Sequence, residues 1–330
     1  MADDVVALVT GATGFIGSAL VEKLLEHGYR VKCLIRKTSN RRWLENLSVE
    51  YVDGDIFSGE VLLSALSDVT HVFHLAGLTK ARHREEYFRA NGEGTAHLLQ
   101  LTAKAAVKLR RFVYVSSQAA AGPSLTGAPV TEADSPHPVS IYGESKLAGE
   151  RACLELGSKV PWSIVRPPAV YGPRERDIFT YFQQVNYGIR LQLGADQRWA
   201  SIVYVDDLVR GIITVAQDSR SIGETYFIAN ATPCEWATLG EVIGKALHRK
   251  TVRIILPTWI TPVLATVSEG MAALRRKPAL LSFDKMRELK QLHWICSAEK
   301  IHTQLGFQCK VSLEEGMART ATWYREHGWL

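Results

Sequence analysis

Three side chains, at positions 117, 142 and 146, are of the types needed for proton transfer. Ser117 ends the run Val115-Ser116-Ser117, and Tyr142 and Lys146 are four residues apart, which places them on one face of a helix. A tyrosine hydroxyl titrates at a pH of about 10, so it is a general acid or base at neutral pH only when its phenolate is stabilised. We expect Lys146 to stabilise it and Ser117 to hydrogen-bond a substrate carbonyl or alkoxide. These three roles together describe catalysis of hydride transfer.

A glycine-rich turn follows the first predicted strand. Residues 10–17 read TGATGFIG and lead directly into a helical pattern. In this context Gly11 permits the tight turn, Gly14 lets the backbone approach a pyrophosphate, and Gly17 allows the helix to pack closely on the strand. The free N–H groups and partial positive charge of the helix N-terminus favour phosphate there. We therefore predict a dinucleotide site with contacts from Gly11, Thr13, Gly14, Phe15, Ile16 and Gly17.

Two basic residues, Arg36 and Lys37, end the second predicted strand. A carboxylate at this place would bind the ribose 2′-hydroxyl of NAD, whereas a guanidinium pairs with the 2′-phosphate of NADP. We therefore expect NADP(H), with NAD as the alternative if the basic pair is only a solvated turn. After the third strand, Asp55 is placed to accept from the adenine amino group, and Ile56 follows it.

The elements that position these residues alternate between short apolar runs and helical patterns. This alternation predicts an α/β fold with a doubly wound parallel sheet. Strands are predicted at 5–9, 31–35, 49–52, 71–75, 112–115, 163–165 and 226–228, and helices at 18–27, 95–109 and 204–216. We expect a dinucleotide-binding domain over 1–170 that also includes about 203–230, and a smaller domain over 171–202 and 231–330.

Composition places the chain among ordinary globular enzymes. The 330 residues are 46% hydrophobic and 22% charged, which excludes a disordered or collagenous chain. The net charge is +5, and the basic residues form no stripe with interleaved aromatic residues, so we reject nucleic-acid binding. Five scattered cysteines form no CxxC pair, which argues against a disulfide framework or a metal site. The N-terminus lacks the basic region of a secretory signal, so a cytoplasmic setting is expected.

Taken jointly, the motifs resemble those of the extended short-chain dehydrogenase/reductases, also called the NAD-dependent epimerase/dehydratase family. The resemblance covers essentially the whole chain. Besides the glycine turn and the Tyr142/Lys146 pair, it rests on GD at 54–55, HLAG at 74–77, NGEGT at 91–95, RPPAVYGP at 166–173 and YVDD at 204–207.

The resemblance implies a Rossmann sheet with a smaller, mostly helical substrate-binding domain. It assigns catalysis to Ser117 rather than Ser116, and it gives Lys146 a contact with the nicotinamide ribose. For Asn91 we favour a helix-capping role over a proton relay. Family members often form homodimers through a four-helix interface that includes the Tyr142 helix. The further cofactor contacts that the resemblance implies are Leu75, Ala76, Gly77, Asn91, Pro167 and Val170.

Two departures from the family pattern bear on the substrate. Nucleotide-sugar epimerases and dehydratases typically carry Asn where this chain has Pro168 and Arg where it has Ala200, although the nearby Arg198 is a possible substitute. The chain looks more like the dihydroflavonol reductase and 3β-hydroxysteroid dehydrogenase branch. That branch interconverts ketones and secondary alcohols on sterol-, terpenoid- or flavonoid-like molecules. The alternatives are an epimerase or dehydratase with tightly bound NAD, and a dinucleotide-binding regulatory protein without catalysis.

The smaller domain contains an uncharged stretch, 254–268, that is interrupted by two prolines and is too short to span a bilayer of about 30 Å. We interpret it as a buried helix, a pocket wall or a membrane-resting patch. The basic run at 275–277 is compatible with peripheral contact with an anionic membrane or with a solvated helix end. Residues that would form either an apolar substrate pocket or an ordinary core are Trp236, Trp259, Ile260, Val263, Leu264, Met271 and Leu274.

Overall fold

The computed structural model describes residues 5–157, 159–275 and 282–330. Its strands are short, as is usual when crossover helices separate them. In chain order they are β1 (Val6–Thr10), β2 (Arg30–Ile35), β3 (Glu50–Asp53), β4 (His71–His74), β5 (Arg111–Val115), β6 (Trp162–Arg166), β7 (Ala169–Tyr171), β8 (Ile189–Leu193), β9 (Trp199–Ala200), β10 (Ile202–Tyr204), β11 (Thr225–Phe227), β12 (Cys234–Glu235), β13 (Val252–Leu256) and β14 (His293–Trp294).

Helices connect most of these strands and account for much of the second half of the chain. A π-helical turn, Phe88–Glu93, joins two of them, and short 3₁₀ turns lie at Ser219–Ser221 and Thr258–Ile260. The α-helices are α1 (Phe15–Glu26), α2 (Gly59–Leu66), α3 (Arg84–Tyr87), α4 (Gly94–Ala105), α5 (Gln118–Ala121), α6 (Ile141–Glu155), α7 (Asp177–Asn186), α8 (Val205–Gln217), α9 (Trp236–Leu247), α10 (Thr261–Arg275), α11 (Phe283–Lys290), α12 (Glu299–Leu305) and α13 (Leu313–Glu326).

One seven-stranded sheet organises the first two-thirds of the chain. Its order is β3-β2-β1-β4-β5-β6-β11, and every neighbouring pair is parallel. The order reverses between β1 and β4, which is the switch point where open α/β sheets bind ligands. The predicted doubly wound parallel sheet is therefore confirmed.

The central strands are apolar along their whole length because helices cover both faces of the sheet. In β1, Val6 and Leu8 pack in the core beneath α2, α4 and α6, whereas Ala7 and Val9 pack in the core beneath α1 and α8. This alternation fixes the register of β1, and with it the position of the glycine turn that follows.

The second half of the chain returns to the sheet once. β11 pairs with β6, and its Tyr226 lies opposite Val165. The remaining strands form the small sheets β7–β10, β8–β13 and β12-β9-β14, among α9 to α13. The exact division into two domains stays a prediction. The helix predicted over 95–109 ends earlier, at Ala105, and the π-helical turn that precedes α4 was not anticipated.

The uncharged stretch at 254–268 is not a buried helix. It comprises the end of β13, the 3₁₀ turn and the first half of α10. Trp259 is 72% exposed and Val263 is 53% exposed, so neither lines a closed pocket, while Trp236 stacks on Tyr181 with ring centroids 5.6 Å apart. The side chains at 264, 271 and 274–277 lie outside the described residues. Within the described ranges, no helix is long and apolar enough to cross a membrane.

Candidate functional site

The glycine turn between β1 and α1 has no room for side chains. Gly11 adopts a φ of +72°, and a Cβ there would lie 2.8 Å from the Ala76 backbone nitrogen. A Cβ on Gly17 would lie 2.1 Å from the Gly11 carbonyl oxygen, so α1 can approach β1 this closely only with glycine at that place.

The same turn presents a helix N-terminus without a protein partner. Gly14 is exposed and is the N-cap residue of α1, and no side chain caps it among the described residues. The first-turn N–H groups of α1 are therefore available to an anion. These N–H groups and the glycine turn beside them fit the pyrophosphate of a dinucleotide.

A buried network of hydrogen bonds joins β1 to β4 beneath the glycine turn. The Thr10 hydroxyl lies 2.7 Å from His74 Nδ1 and accepts from the Ala76 N–H at 3.1 Å, and His74 Nε2 lies 2.9 Å from the Thr95 hydroxyl. Burial lowers the pKa of His74 to about 3, so its ring is neutral. This hydrogen-bond network holds residues 75–77 beside the glycine turn, where they were predicted to contact the cofactor.

The two serines after β5 have different surroundings. Ser116 is buried, and its hydroxyl donates to Glu150 Oε1 at 2.5 Å. Ser117 is partly exposed and is the N-cap residue of α5, where its hydroxyl oxygen accepts from the Ala119 N–H at 3.1 Å. The Ser117 hydroxyl, in contrast, shares a hydrogen bond with the Tyr142 side chain. This geometry agrees with the expected role of Ser117, which stays a prediction.

Tyr142 lies in the first turn of α6, beside Ser117. Burial raises the pKa of Tyr142 to about 12, and a hydrogen bond with the Ser117 side chain opposes that rise. The nearby Glu288 and Tyr87 raise the pKa further. The Tyr142 hydroxyl is therefore protonated at neutral pH, the form in which it donates a proton.

Lys146 follows one turn later on α6 and is buried. Its ammonium donates to the Val115 carbonyl at 2.7 Å and lies 4.4 Å from the centre of the Tyr114 ring. Burial lowers the pKa of Lys146 to about 8, while the charge of Glu150 opposes the fall. None of the described contacts joins Lys146 to Tyr142, so the predicted stabilisation of the Tyr142 phenolate stays a prediction.

A buried ion pair, which the sequence analysis missed, supports this row of residues. Arg166 donates to both carboxylate oxygens of Glu150, at 2.9 and 2.6 Å, and the two side chains are 6% and 3% exposed. Ser116 donates to the same carboxylate. The pair therefore joins α6 to the ends of β5 and β6. The i, i+4 spacing of Lys146 and Glu150 was the available signal.

A second missed feature is the contact of α11 with the start of α6. Asp284 Oδ1 accepts from the Ile141 N–H at 2.8 Å, and Glu288 Oε1 accepts from the Ser140 hydroxyl at 2.6 Å. These carboxylates complement the positive end of the helix that carries Tyr142. Because 142 residues separate Tyr142 from Asp284 in the chain, local sequence patterns give no sign of this contact.

The Asn91 side chain bridges two segments and does not cap a helix, so the expectation of a capping role is wrong. Its carboxamide oxygen accepts from the Leu78 N–H at 2.8 Å, and its Nδ2 donates to the Leu78 carbonyl and to the Ser145 hydroxyl, both at 2.9 Å. The side chain sits in the π-helical turn, where it links the loop after β4 to α6. A direct cofactor contact of Asn91 stays a prediction.

Arg36 and Lys37 directly follow β2, which ends at Ile35, and both are exposed. The Arg36 backbone N–H donates to the Ser39 hydroxyl at 3.1 Å, while no contact within the described residues engages its guanidinium. Asp55 accepts from the Phe57 N–H at 2.8 Å and so stabilises the turn before α2. These three side chains lie past the carboxyl ends of β2 and β3, as the predicted adenosine contacts require.

The segment after β6 is held close to Ser117. The Pro167 carbonyl accepts from the Gln118 N–H at 2.8 Å, and Val170 lies in β7 opposite Val203 of β10. Arg198 does not offer its guanidinium to a ligand, because it donates to the carbonyls of Leu193, Leu289 and Gln291. The suggestion that Arg198 replaces a phosphate-binding arginine is therefore not supported by its contacts.

All five cysteines are free thiols. No cluster of metal-ligating side chains occurs in the described part of the chain.

Comparisons with known proteins agree with this arrangement. The model of the NAD dependent epimerase/dehydratase family matches residues 7–229. A ceramide reductase of Caulobacter vibrioides is 28% identical, over 98% of this chain and 96% of the reductase. A UDP-glucose 4-epimerase of Vibrio cholerae is 27% identical, with coverage of 95% and 94%. A decarboxylating sterol-4-alpha-carboxylate 3-dehydrogenase of Homo sapiens is 26% identical, with coverage of 96% and 87%.

A solved structure shows the same fold. The UDP-glucuronic acid 4-epimerase of Bacillus cereus, crystallised in complex with NAD, superimposes with a TM-score of 0.78 over 97% of both chains, at 24% identity. The matched relatives include reductases or dehydrogenases as well as epimerases. The comparisons therefore support a nicotinamide dinucleotide cofactor and leave the substrate open.

Proposed function

Because the chain belongs to the NAD-dependent epimerase/dehydratase family, we propose that it is an NADP(H)-preferring oxidoreductase. It interconverts a ketone and a secondary alcohol on a hydrophobic small molecule of the sterol, terpenoid or flavonoid kind. The observation that carries this proposal is that Ser117, Tyr142 and Lys146 lie at the carboxyl edge of the parallel sheet, the edge that also carries the glycine turn.

Each of the three side chains has a distinct task. Ser117 accepts from a backbone N–H and shares a hydrogen bond with Tyr142, so its hydroxyl binds the same substrate oxygen that Tyr142 protonates. Tyr142 is protonated at neutral pH and gives its proton to that oxygen during reduction, or recovers it during oxidation. Lys146 holds the ribose and supplies positive charge next to the developing phenolate. A bound nicotinamide supplies the hydride in reduction.

The preference for NADP(H) is supported by the end of β2. No acidic residue ends this strand, and the guanidinium of Arg36 is exposed and unengaged within the described structure. Replacing Arg36 by Asp should invert the order of NADPH and NADH affinities. Lys104→Asp is the control, since this exposed residue lies in the last turn of α4, away from the glycine turn. Equal affinities of the native protein for both dinucleotides would contradict the proposal.

The apolar substrate is supported by what the site lacks. Pro168 and Ala200 stand where nucleotide-sugar enzymes typically carry Asn and Arg, and Arg198 is occupied by backbone carbonyls. A diphosphate would therefore lack its usual guanidinium partner. The ceramide reductase and the sterol dehydrogenase, both named for lipid substrates, point the same way.

An epimerase or dehydratase is the second candidate, since the Vibrio cholerae relative is a UDP-glucose 4-epimerase. Such an enzyme holds NAD tightly and regenerates it in each cycle, whereas a reductase consumes NADPH. Mass spectrometry of the purified protein separates the two. Stoichiometric co-purified NAD, together with turnover of a UDP-sugar without added dinucleotide, would favour the epimerase.

Tyr142→Phe tests the assignment of the proton donor. The variant should keep its NADPH affinity within about twofold and lose at least a factor of about 100 in kcat, the lower end of general acid catalysis. Ser116→Ala is the control, because the Ser116 hydroxyl is buried and donates to Glu150. Retention of turnover by Tyr142→Phe would refute the role of this residue.

A further inference from the structure

Glu288, on α11, is a buried carboxylate that lies against the first turn of α6. Its side chain is only 12% exposed, and its Oε1 accepts from the Ser140 hydroxyl at 2.6 Å. Ser140 is the N-cap residue of α6, and its hydroxyl oxygen in turn accepts from the Gly143 N–H at 3.0 Å. Because Tyr142 lies between Ser140 and Gly143, Glu288 brings a negative charge to the turn that contains Tyr142.

The helix α11 is itself held in place at its carboxyl end. The Glu288 carbonyl accepts from Trp294 Nε1 at 2.9 Å, and the Leu289 carbonyl accepts from the Arg198 guanidinium at 2.6 Å. This helix lies beyond residues 7–229, the part of the chain that the family model matches. The position of the Glu288 carboxylate therefore depends on contacts that lie outside the family motifs.

The charge of Glu288 is balanced only by a solvent-exposed lysine. Its Oε2 accepts from Lys285 Nζ at 2.7 Å, and 53% of the Lys285 side chain is exposed. Water screens the charge of an exposed lysine more strongly than that of a buried carboxylate. Net negative charge therefore remains beside the first turn of α6.

This charge acts on the Tyr142 hydroxyl in the same direction as burial. Burial raises the pKa of Tyr142, the hydrogen bond with Ser117 opposes the rise, and the nearby Glu288 adds to it. A like charge close to a titrating group disfavours the charged form of that group. The phenolate of Tyr142 is therefore less favourable than it would be without Glu288.

The remaining titratable groups near Tyr142 are uncharged or have partners of their own. Burial raises the pKa of Tyr87, whose ring centroid on α3 lies 6.4 Å from that of Tyr142, so Tyr87 is uncharged at neutral pH. Asp284 accepts from backbone N–H groups at the positive end of α6, which balances its charge. Lys146, one turn further along α6, donates to a carbonyl of β5. Glu288 is thus the carboxylate whose charge is least compensated.

We propose that Glu288 is a positioning residue for Tyr142, whose carboxylate holds the Ser140 cap of α6 and disfavours negative charge on the Tyr142 oxygen. The inference rests on the proposed function, in which Tyr142 is the proton donor. Ketone reduction needs the protonated hydroxyl, whereas alcohol oxidation needs the phenolate as its base. At neutral pH Glu288 therefore helps to keep Tyr142 in the form from which a ketone is reduced.

Titration of the hydroxyl at position 142 tests the proposal without a substrate. Difluorotyrosine placed there ionises at a lower pH than tyrosine, and its fluorine NMR signal reports the ionisation. Glu288→Gln keeps an acceptor for Ser140 and removes the charge, so it should lower the pKa at position 142 by about one pH unit. Lys285→Met removes the cation that partly neutralises Glu288 and should shift the same pKa upwards.

Glu144→Gln is the matched control. Glu144 also lies in the first turn of α6, but its side chain is 39% exposed and pairs with the exposed Arg84, so this variant should leave the pKa at position 142 unchanged. An unchanged pKa in Glu288→Gln, equal shifts in Glu288→Gln and Glu144→Gln, or a downward shift in Lys285→Met would each overturn the proposal. Because the titration needs no turnover, a protein that shows the expected shifts but reduces no ketone would support the action of Glu288 on Tyr142 and contradict only the proposed function.

Discussion

Glu150→Gln is the perturbation whose consequences the structure defines most closely. The glutamate is the shared acceptor of Arg166 and Ser116, and it lies one helical turn beyond Lys146. Glutamine keeps the size of the side chain and can still accept from Ser116. Its amide group turns a donor towards Arg166, so the buried guanidinium loses one partner and its counter-charge.

The expected cost follows from burial. Both side chains of the pair are less than a tenth exposed, and Arg166 Nη1 already has no hydrogen-bond partner. Removing one member of a buried ion pair costs about 3–5 kcal/mol. For a protein of this size, with a urea m-value of about 3 kcal/mol/M, the midpoint of unfolding should fall by roughly 1–1.7 M.

Urea unfolding followed by tryptophan fluorescence measures this change. Glu155→Gln is the control, because Glu155 is exposed on the same helix and should shift the free energy of unfolding by less than about 0.5 kcal/mol. The double variant Glu150→Leu/Arg166→Met should recover part of the loss, since it removes the unpaired charge of Arg166. A loss below about 1 kcal/mol in Glu150→Gln would refute the reasoning.

Three further predictions concern the site. Gly17→Ala should destabilise the protein by about 2 kcal/mol or more and abolish NADPH binding, because the new Cβ would clash with the Gly11 carbonyl oxygen. Melting curves measure the loss of stability, and fluorescence titration measures NADPH binding. A native-like NADPH affinity would contradict the prediction. Reductive kcat should fall as the pH rises through about 8, because the Lys146 ammonium loses its proton there, and a flat profile would contradict this role. Asp284→Ala should cost about 1 kcal/mol and lower kcat without changing NADPH affinity, and an unchanged kcat would show that α11 does not position Tyr142.

The sheet and the glycine turn were predictable because their signals are local. A parallel strand covered on both faces is apolar along its length, and only glycine fits where a Cβ would lie 2.1 Å from a carbonyl oxygen. The spacing of Tyr142 and Lys146 on one helix is also local. The fold therefore followed from the sequence, while the roles of the site residues stay predictions.

The missed features depend on contacts between distant segments. Asp284 reaches the helix that carries Tyr142 from the far end of the chain. Arg198 looks available in the sequence, although it donates to three backbone carbonyls. Trp259, expected in a pocket wall, is exposed instead, and β13 before it is exposed on both faces, because hydrophobicity alone does not tell whether another element covers a strand. Local patterns could not distinguish these alternatives.

The most direct test of the proposed function is single-turnover reduction with stoichiometric NADPH and a panel of long-chain and polycyclic ketones. The native protein should convert at least one ketone to the secondary alcohol, with one NADPH oxidised per alcohol formed, and Tyr142→Phe should not. Turnover of a UDP-sugar without net NADPH oxidation, or ketone reduction that survives in Tyr142→Phe, would contradict the account.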